Sequence, residues 1–250
     1  MNLGAGDEAV AVNRIDPRPV LIVTGLVQEA RIAGGPGMIV ICSSSDPRQL
    51  RSLLATLDPS TFRGVISFGV AGGLDPALKS GDVVVATEVL DGDTRWLAGL
   101  ALNEQQIASA ALGRRRVVRG GLAGVEQVIA ARAGKAALWS ETGAAAVDME
   151  SHIAAAYAAE KGLPFAALRV ISDPANRALP AFVMNAIKPN GDIDLRKVLR
   201  GIARNPMTLR ALVSTGIDFN RALRSLRSCR GFLLGSEEGA VVAVLSEAAA

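Results

Sequence analysis

The sequence predicts an α/β domain in which a mostly parallel sheet is buried between helices. Short apolar runs rich in β-branched residues alternate with Ala- and Leu-rich helical stretches, the pattern of a sheet covered on both faces. Half of the 250 residues are apolar, enough for a large core, which excludes a disordered or disulfide-stapled chain. At ~150 residues per domain the length allows one or two domains, and α/β folds often use such a length for one.

Strands are predicted at Val20–Thr24, Met38–Cys42, Val65–Phe68, Asp82–Thr87, Arg116–Arg119 and Ala166–Ile171. Gly34-Gly35-Pro36-Gly37 is a tight turn between the first two. Asp46-Pro47 starts a helix running to about Leu57, with the carboxylate as cap and proline at the first helical position. Further helices are predicted at Glu104–Leu112, at Met149–Lys161 and in three segments between Leu195 and Arg230. Gly162-Leu163-Pro164 ends the second of these. The expected organisation is a loose tail over residues 1–18, one domain over 19–235 and a loose tail over 236–250.

The formal charge is only +3, but it is unevenly spread. Residues 181–235 carry ten Lys/Arg against three Asp, a net +7 that suggests an anionic partner. Aromatics are only 4% and none interleaves with the basic residues, which argues against nucleic acid. Cys42 and Cys229 are too few for a disulfide framework, and His152 as the single histidine leaves no zinc site or His-based triad. The first 18 residues hold Asp7, Glu8 and Asp16 and do not read as a secretory signal. No apolar run reaches the ~18 residues of a membrane span, so a cytoplasmic protein is expected.

Four short segments are candidates for chemistry. Phe68-Gly69-Val70-Ala71-Gly72-Gly73-Leu74 ends an apolar strand in glycines, where a ligand can approach the backbone of an open α/β sheet. Val147-Asp148-Met149-Glu150-Ser151-His152 places two carboxylates around a methionine as a helix begins. Arg169-Val170-Ile171-Ser172-Asp173-Pro174 runs a buried strand into a carboxylate, and Gly25-Leu26-Val27-Gln28-Glu29 places an acid just past another strand. Singly, each has a plain reading: a tight turn, acids complementing a helix dipole, core methionine, an Asp-Pro turn, a solvated loop acid. Together, if the sheet is parallel there, Glu29, Glu150 and Asp173 converge on one crevice with the Ala71–Gly73 turn. Such a set suits acid–base cleavage of a glycosidic bond.

The four segments resemble the nucleoside phosphorylase/nucleosidase superfamily, above all its methylthioadenosine/S-adenosylhomocysteine nucleosidase branch. Gly69-Val70-Ala71-Gly72-Gly73-Leu74 with Leu78-Lys79-Ser80-Gly81-Asp82 is similar to G-S-A-G-G-L…L-K-x-G-D, and Val147-Asp148-Met149-Glu150 to V-E-M-E. Arg169-Val170-Ile171-Ser172-Asp173 resembles R-A-I-S-D, and Leu26-Val27-Gln28-Glu29 resembles M-x-x-E. The resemblance implies a three-layer domain with a mostly parallel mixed sheet. It also implies roles: Asp173 acting on N7 of an adenine leaving group beside Ser172, and Glu150 holding the ribose 2′- and 3′-hydroxyls with Met149 against the sugar. Glu29 would activate water, Ala71 and Gly72 would border the base, and Val128 or Ile129 would stand in for the absent stacking aromatic. A protonated Asp173 would require burial or neighbouring acids to raise its pKa. No cofactor is implied beyond inorganic phosphate as co-substrate if the reaction is phosphorolysis, and relatives suggest a homodimer.

Departures from that branch point to an offshoot. Cys42-Ser43-Ser44-Ser45-Asp46 replaces a glycine-rich loop, Val70 replaces a serine, and the basic C-terminal segment is additional. With Gly-Leu-x-x-Glu-Ala-Arg and Val-Asp-Met-Glu-Ser-His, these features resemble the hopanoid-biosynthesis-associated nucleosidases. The implied substrate is adenosylhopane, an adenosine with a lipid at its 5′ position, cleaved to adenine and ribosylhopane or its 1-phosphate. Arg221, Arg224, Arg227 and Arg230 recur at spacing three, offset from Leu223, Leu226 and Cys229. Such a basic amphipathic helix either lies on the inner membrane face or packs its leucines into the protein. Ser43, Ser44 and Ser45 at a helix start are a candidate phosphate site, although Asp46 would repel an anion. A nucleosidase or phosphorylase for soluble nucleosides, and a non-catalytic nucleoside- or lipid-binding protein, are the alternatives.

Overall fold

A computed structural model of the chain describes residues 16–100, 102, 116–179, 208–233 and 244–245. The first strand, β1 (Val20–Thr24), is buried on both faces and pairs in parallel with β2 (Met38–Cys42) and β3 (Gly64–Gly73). Its residues alternate between two core clusters, Val20 and Ile22 in one and Leu21 and Val23 in the other. That alternation places the sheet between two helical layers. One layer holds α1 (Val27–Ala33), which the sequence reading left as loop. The other holds α2 (Pro47–Ala55), whose cap Asp46 accepts from the amides of Arg48 at 2.8 Å and Gln49 at 3.4 Å, as expected for Asp-Pro.

The sheet continues through β4 (Val83–Asp91), β5 (Thr94–Leu97), β6 (Val117–Gly124), β7 (Ala146–Asp148) and β8 (Phe165–Asp173). Between β6 and β7 lies α3 (Arg132–Thr142), also absent from the sequence reading, and α4 (Ser151–Glu160) precedes β8. β3 pairs with β8, β8 with β4, β4 with β6, β6 with β7 and β7 again with β3. The mixed sheet therefore closes on itself at this end. The β3–β7 and β4–β8 pairs are antiparallel and the other three parallel.

Strand and helix limits move by a few residues from those predicted, most at β3 and β6, which run on through glycine-rich tails. The predicted helix Glu104–Leu112 lies outside the described residues. Of the three segments expected between Leu195 and Arg230, the described part is one continuous helix, α5 (Thr208–Ser228). Two contacts fall within the segments expected as tails. Arg18 pairs with Asp16 at 2.6 Å and donates to the Ser60 carbonyl at 3.1 Å, and Val244–Leu245 forms β9 beside Val40 and Ile41 of β2.

The fate of α5 decides between the two readings of its apolar stripe. Ala222, Leu223, Leu226, Cys229 and Phe232 are buried in the core beneath β8 and α1, so this stripe is not offered to a bilayer. The outward face carries Arg221, Arg224 and Arg227, with Val213 and Ile217 about half exposed. Among the described residues no helix is long and apolar enough to cross a membrane.

Candidate active site

A cleft of about 130 Å³ opens where β1, β3, β7 and β8 end. Gly25, Leu26, Glu29, Ser45, Val70, Ala71, Gly72, Val128, Ile129, Met149, Glu150, Ser172 and Asp173 all line it. Glu29, Glu150 and Asp173, from three separate segments, thus line one cleft with the glycine turn, and Asp148 lines it too. Ser43 and Ser44 are not among the lining residues. The Ser45 amide donates to the Gly25 carbonyl at 2.8 Å and the Asp46 amide to the Ser43 carbonyl at 2.9 Å. With the Arg48 and Gln49 amides held by Asp46, the start of α2 has already committed these donors internally.

Glu29 sits in the first turn of α1 and is 2% exposed. One carboxylate oxygen accepts from the Val70 amide at 2.7 Å, the other from the amides of Gly25 at 2.9 Å and Leu26 at 2.8 Å. Burial pushes its pKa up, while Arg169 and these amides pull it down. The three bonds fix the carboxylate at the junction of β1 and β3.

Behind Glu29 and Glu150 lies Arg169, a wholly buried cation on β8. Its Nη2 donates to Ser67 Oγ at 2.7 Å and to Asp148 Oδ1 and Ser151 Oγ at 3.1 Å each, with Glu150 Oε2 at 3.5 Å. Among the described residues its Nη1 has no hydrogen-bond partner. A Cβ at Gly69 would lie 2.5 Å from that Nη1 and 2.7 Å from Glu29 Oε1, so only glycine leaves room for both groups here. Gly25 does the same for Glu150, whose Oε1 would stand 2.5 Å from an added Cβ.

Glu150 occupies the junction of β7 and α4, where Asp148 Oδ1 holds the amides of Glu150 at 2.8 Å and Ser151 at 2.6 Å. Burial is the main force raising the Glu150 pKa to about 8; Asp148 and Glu29 add to it and Arg169 opposes it. In the unfolded chain this proton leaves near 4.5, so between the two values the folded state binds more protons. The stability it holds below 4.5 is therefore lost as pH rises through about 8. Glu29 and Asp173, also shifted upward, act in the same sense. Thermal melts should show Tm falling from about pH 5 to about pH 8.5, and a shallower fall for Glu150→Gln. A wild-type Tm that rises over this interval would contradict the assignment.

Asp173 ends β8 beside a β-bulge: Ala71 faces Ile171 but Gly72 faces Asp173, leaving Ser172 as the extra residue. A regular strand would send Ser172 and Asp173 to opposite faces, whereas the bulge lets both line the cleft. Ser172 Oγ lies 2.6 Å from Asp173 Oδ1 and 3.2 Å from the Ala71 carbonyl. Asp173 Oδ2 accepts from Lys135 Nζ at 2.5 Å, a residue that the sequence reading passed over. Burial raises the Asp173 pKa and Lys135 lowers it. Among the described residues no group of three or more His, Cys, Asp or Glu is placed to hold a metal ion. His152 instead packs in α4 with Nε2 3.0 Å from Glu126, which Arg51 clamps from α2.

Comparisons with known proteins make the chain a glycosidic-bond-cleaving enzyme. The family model described as Phosphorylase superfamily matches residues 32–192. The chain belongs to that superfamily. Its fold is similar to the Helicobacter pylori 5′-methylthioadenosine/S-adenosylhomocysteine nucleosidase bound to butyl-thio-DADMe-Immucillin-A, at 19% identity and a TM-score of 0.59 over 86% of this chain and 96% of that one. It is equally similar to the futalosine hydrolase of Helicobacter pylori strain 26695, at 19% identity and 0.59 over 86% and 95%. The Campylobacter jejuni 5′-methylthioadenosine/S-adenosylhomocysteine nucleosidase follows at 16% identity and 0.57 over 84% and 99%. No curated protein matches the sequence.

Proposed function

We propose that the protein hydrolyses the N-glycosidic bond of a 5′-substituted adenosine, with adenosylhopane as substrate, releasing adenine and ribosylhopane. The observation that carries this reading is the convergence of Glu29, Glu150 and Asp173 on one cleft, with Arg169 Nη1 beside Glu29 left without a hydrogen-bond partner among the described residues. Glu150 would hold the ribose hydroxyls with Met149 against the sugar, while Ala71, Gly72 and Val128 border the base. As the C1′–N9 bond breaks, its electron pair goes to the base and a proton from Asp173 reaches N7. The sugar becomes cationic, which nearby carboxylates stabilise. A water activated by Glu29 then adds to C1′ and gives up its proton to the Glu29 carboxylate.

Hydrolysis is favoured over phosphorolysis by charge. The buried acids Glu29, Asp148 and Glu150 surround Arg169, and the donors at the start of α2 are already engaged. A phosphate dianion would enter a wall with more carboxylates than cations. For the lipid substituent the support is the motif resemblance and the apolar lining of Val70, Val125, Ile129 and Leu179. The same reading takes the enzyme as a cytoplasmic homodimer whose Arg221–Arg227 face touches the inner membrane surface, with no nucleic-acid partner.

The test is adenine release from adenosylhopane in detergent, with and without phosphate, following the sugar product by mass spectrometry. Phosphate-independent release of ribosylhopane is expected. A strict phosphate requirement with a 1-phosphate product would replace hydrolysis by phosphorolysis. Cleavage of methylthioadenosine alone would overturn the lipid substrate and leave a nucleosidase for soluble nucleosides.

A further inference from the structure

We infer that Lys135 is the positioning residue for Asp173, holding one carboxylate oxygen from behind so that the other stays with Ser172 on the cleft side. The inference rests on the proposed role of Asp173. Lys135 is 0% exposed although it lies on α3, a helix otherwise largely exposed to solvent. Its ammonium reaches Asp173 Oδ2 at 2.5 Å and also the backbone carbonyls of Asp173 at 3.1 Å, Pro174 at 3.2 Å and Arg177 at 3.2 Å. A buried cation with three donors and four acceptors is fixed in place, and so is whatever it holds.

The turn that Lys135 grips is held from its far side as well. The Arg177 side chain pairs with Asp218 of α5, whose backbone carbonyl accepts from Ser80 Oγ at 2.8 Å. The charged groups acting on Asp173 are Lys135 from α3 and Asp218 from α5, with the Ser172 hydroxyl beside them. Chemistry requires a cation at this position. A carboxyl buried with no counter-charge holds its proton too tightly to pass it to a weakly basic ring nitrogen. Lys135 makes Asp173 a stronger acid than burial alone would, and its location behind Oδ2 leaves it no donor to offer a substrate.

Lys135→Gln keeps a donor for the turn carbonyls but removes the charge, and Lys135→Arg keeps the charge. Each is made in the full chain and alone or with Asp173→Asn, and kcat and KM are followed against pH. For Lys135→Gln we expect kcat to fall about 10²-fold, within the range of a lost general acid, with KM nearly unchanged. The alkaline limb of the profile should move to higher pH, because Asp173 loses the cation that favours its charged form. Lys135→Arg should keep that limb in place, and in the Asp173→Asn background neither substitution should cost further activity. A Lys135→Gln enzyme that loses activity with an unmoved limb, and loses it equally in the Asp173→Asn background, would reduce Lys135 to a structural pin. Should the Gln variant fail to fold, a shifted limb in the Arg variant alone would also overturn the inference. Wild-type turnover in Asp173→Asn by itself would instead remove the role of Asp173 on which it rests.

Discussion

Asp173→Asn should lower kcat by about 10³-fold while leaving a folded enzyme, since a lost general acid costs about 10²–10⁴ and the oxocarbenium-like sugar also loses a stabilising charge. Asparagine matches the carboxylate in shape and keeps an oxygen for Lys135, but it has no proton to give to the base. The stability cost follows from what remains around Lys135. Its ammonium still has the carbonyls of residues 173, 174 and 177 within 3.2 Å, so the cation is not orphaned. A loss of about 1–3 kcal/mol is expected for the weakened buried hydrogen bond, against the ~5–15 kcal/mol of a typical domain. Steady-state turnover alongside a thermal melt separates the two effects. Turnover at the wild-type rate would remove Asp173 from the mechanism, and a variant that melts below the assay temperature would make Asp173 chiefly structural.

The acids of the cleft were legible in the sequence because strand ends announce themselves: an apolar run, then a carboxylate within a few residues. Glu29, Glu150 and Asp173 were found in this way, and so was the Ala71–Gly72 turn. The two cations that neutralise them were not assigned roles. Arg169 lies in the middle of a buried strand, where alternation has nothing to say about a charge wholly surrounded by partners from β3, β7 and α4. Lys135 lies in Arg132-Ala-Gly-Lys135-Ala-Ala, a composition that reads as an ordinary solvent-facing helix. Its partner is 38 residues away, on a strand that meets α3 only once the sheet has closed. That closure was itself unreadable, because an antiparallel pairing such as β4 with β8 leaves no local signal in two largely apolar strands. The amphipathic stripe of α5 was read correctly as a stripe. What it packs against is a property of the assembled core, not of the helix.

Arg169→Met should be the most destabilising substitution in the site, at about 3–5 kcal/mol, the range for removing one partner of a buried charge network. Methionine fills much of the volume, so the loss is electrostatic rather than a cavity. Ser67 and Ser151 lose the guanidinium, leaving only their mutual hydroxyl bond, and Glu29, Asp148 and Glu150 are left as buried acids without it. Glu29 and Glu150 relieve the repulsion by taking up protons, so their folded-state pKa values rise further above those of the unfolded chain. Stability lost on that account is smallest at low pH and grows as pH rises. Urea titrations at about pH 5.5 and about pH 8.5 should therefore show a larger difference from wild type at the higher pH. Arg169→Lys restores one charge but not the planar fork that reaches Ser67, Ser151 and Asp148 together. It should recover part of the stability and little of the turnover. A methionine variant as stable as wild type at the higher pH would mean that the three acids are not held by Arg169. The proposed division of labour, with Glu29 activating water and Glu150 holding the ribose, would then lose much of its physical basis, because this guanidinium, with the backbone amides, keeps the two buried carboxyls within reach of their charged forms.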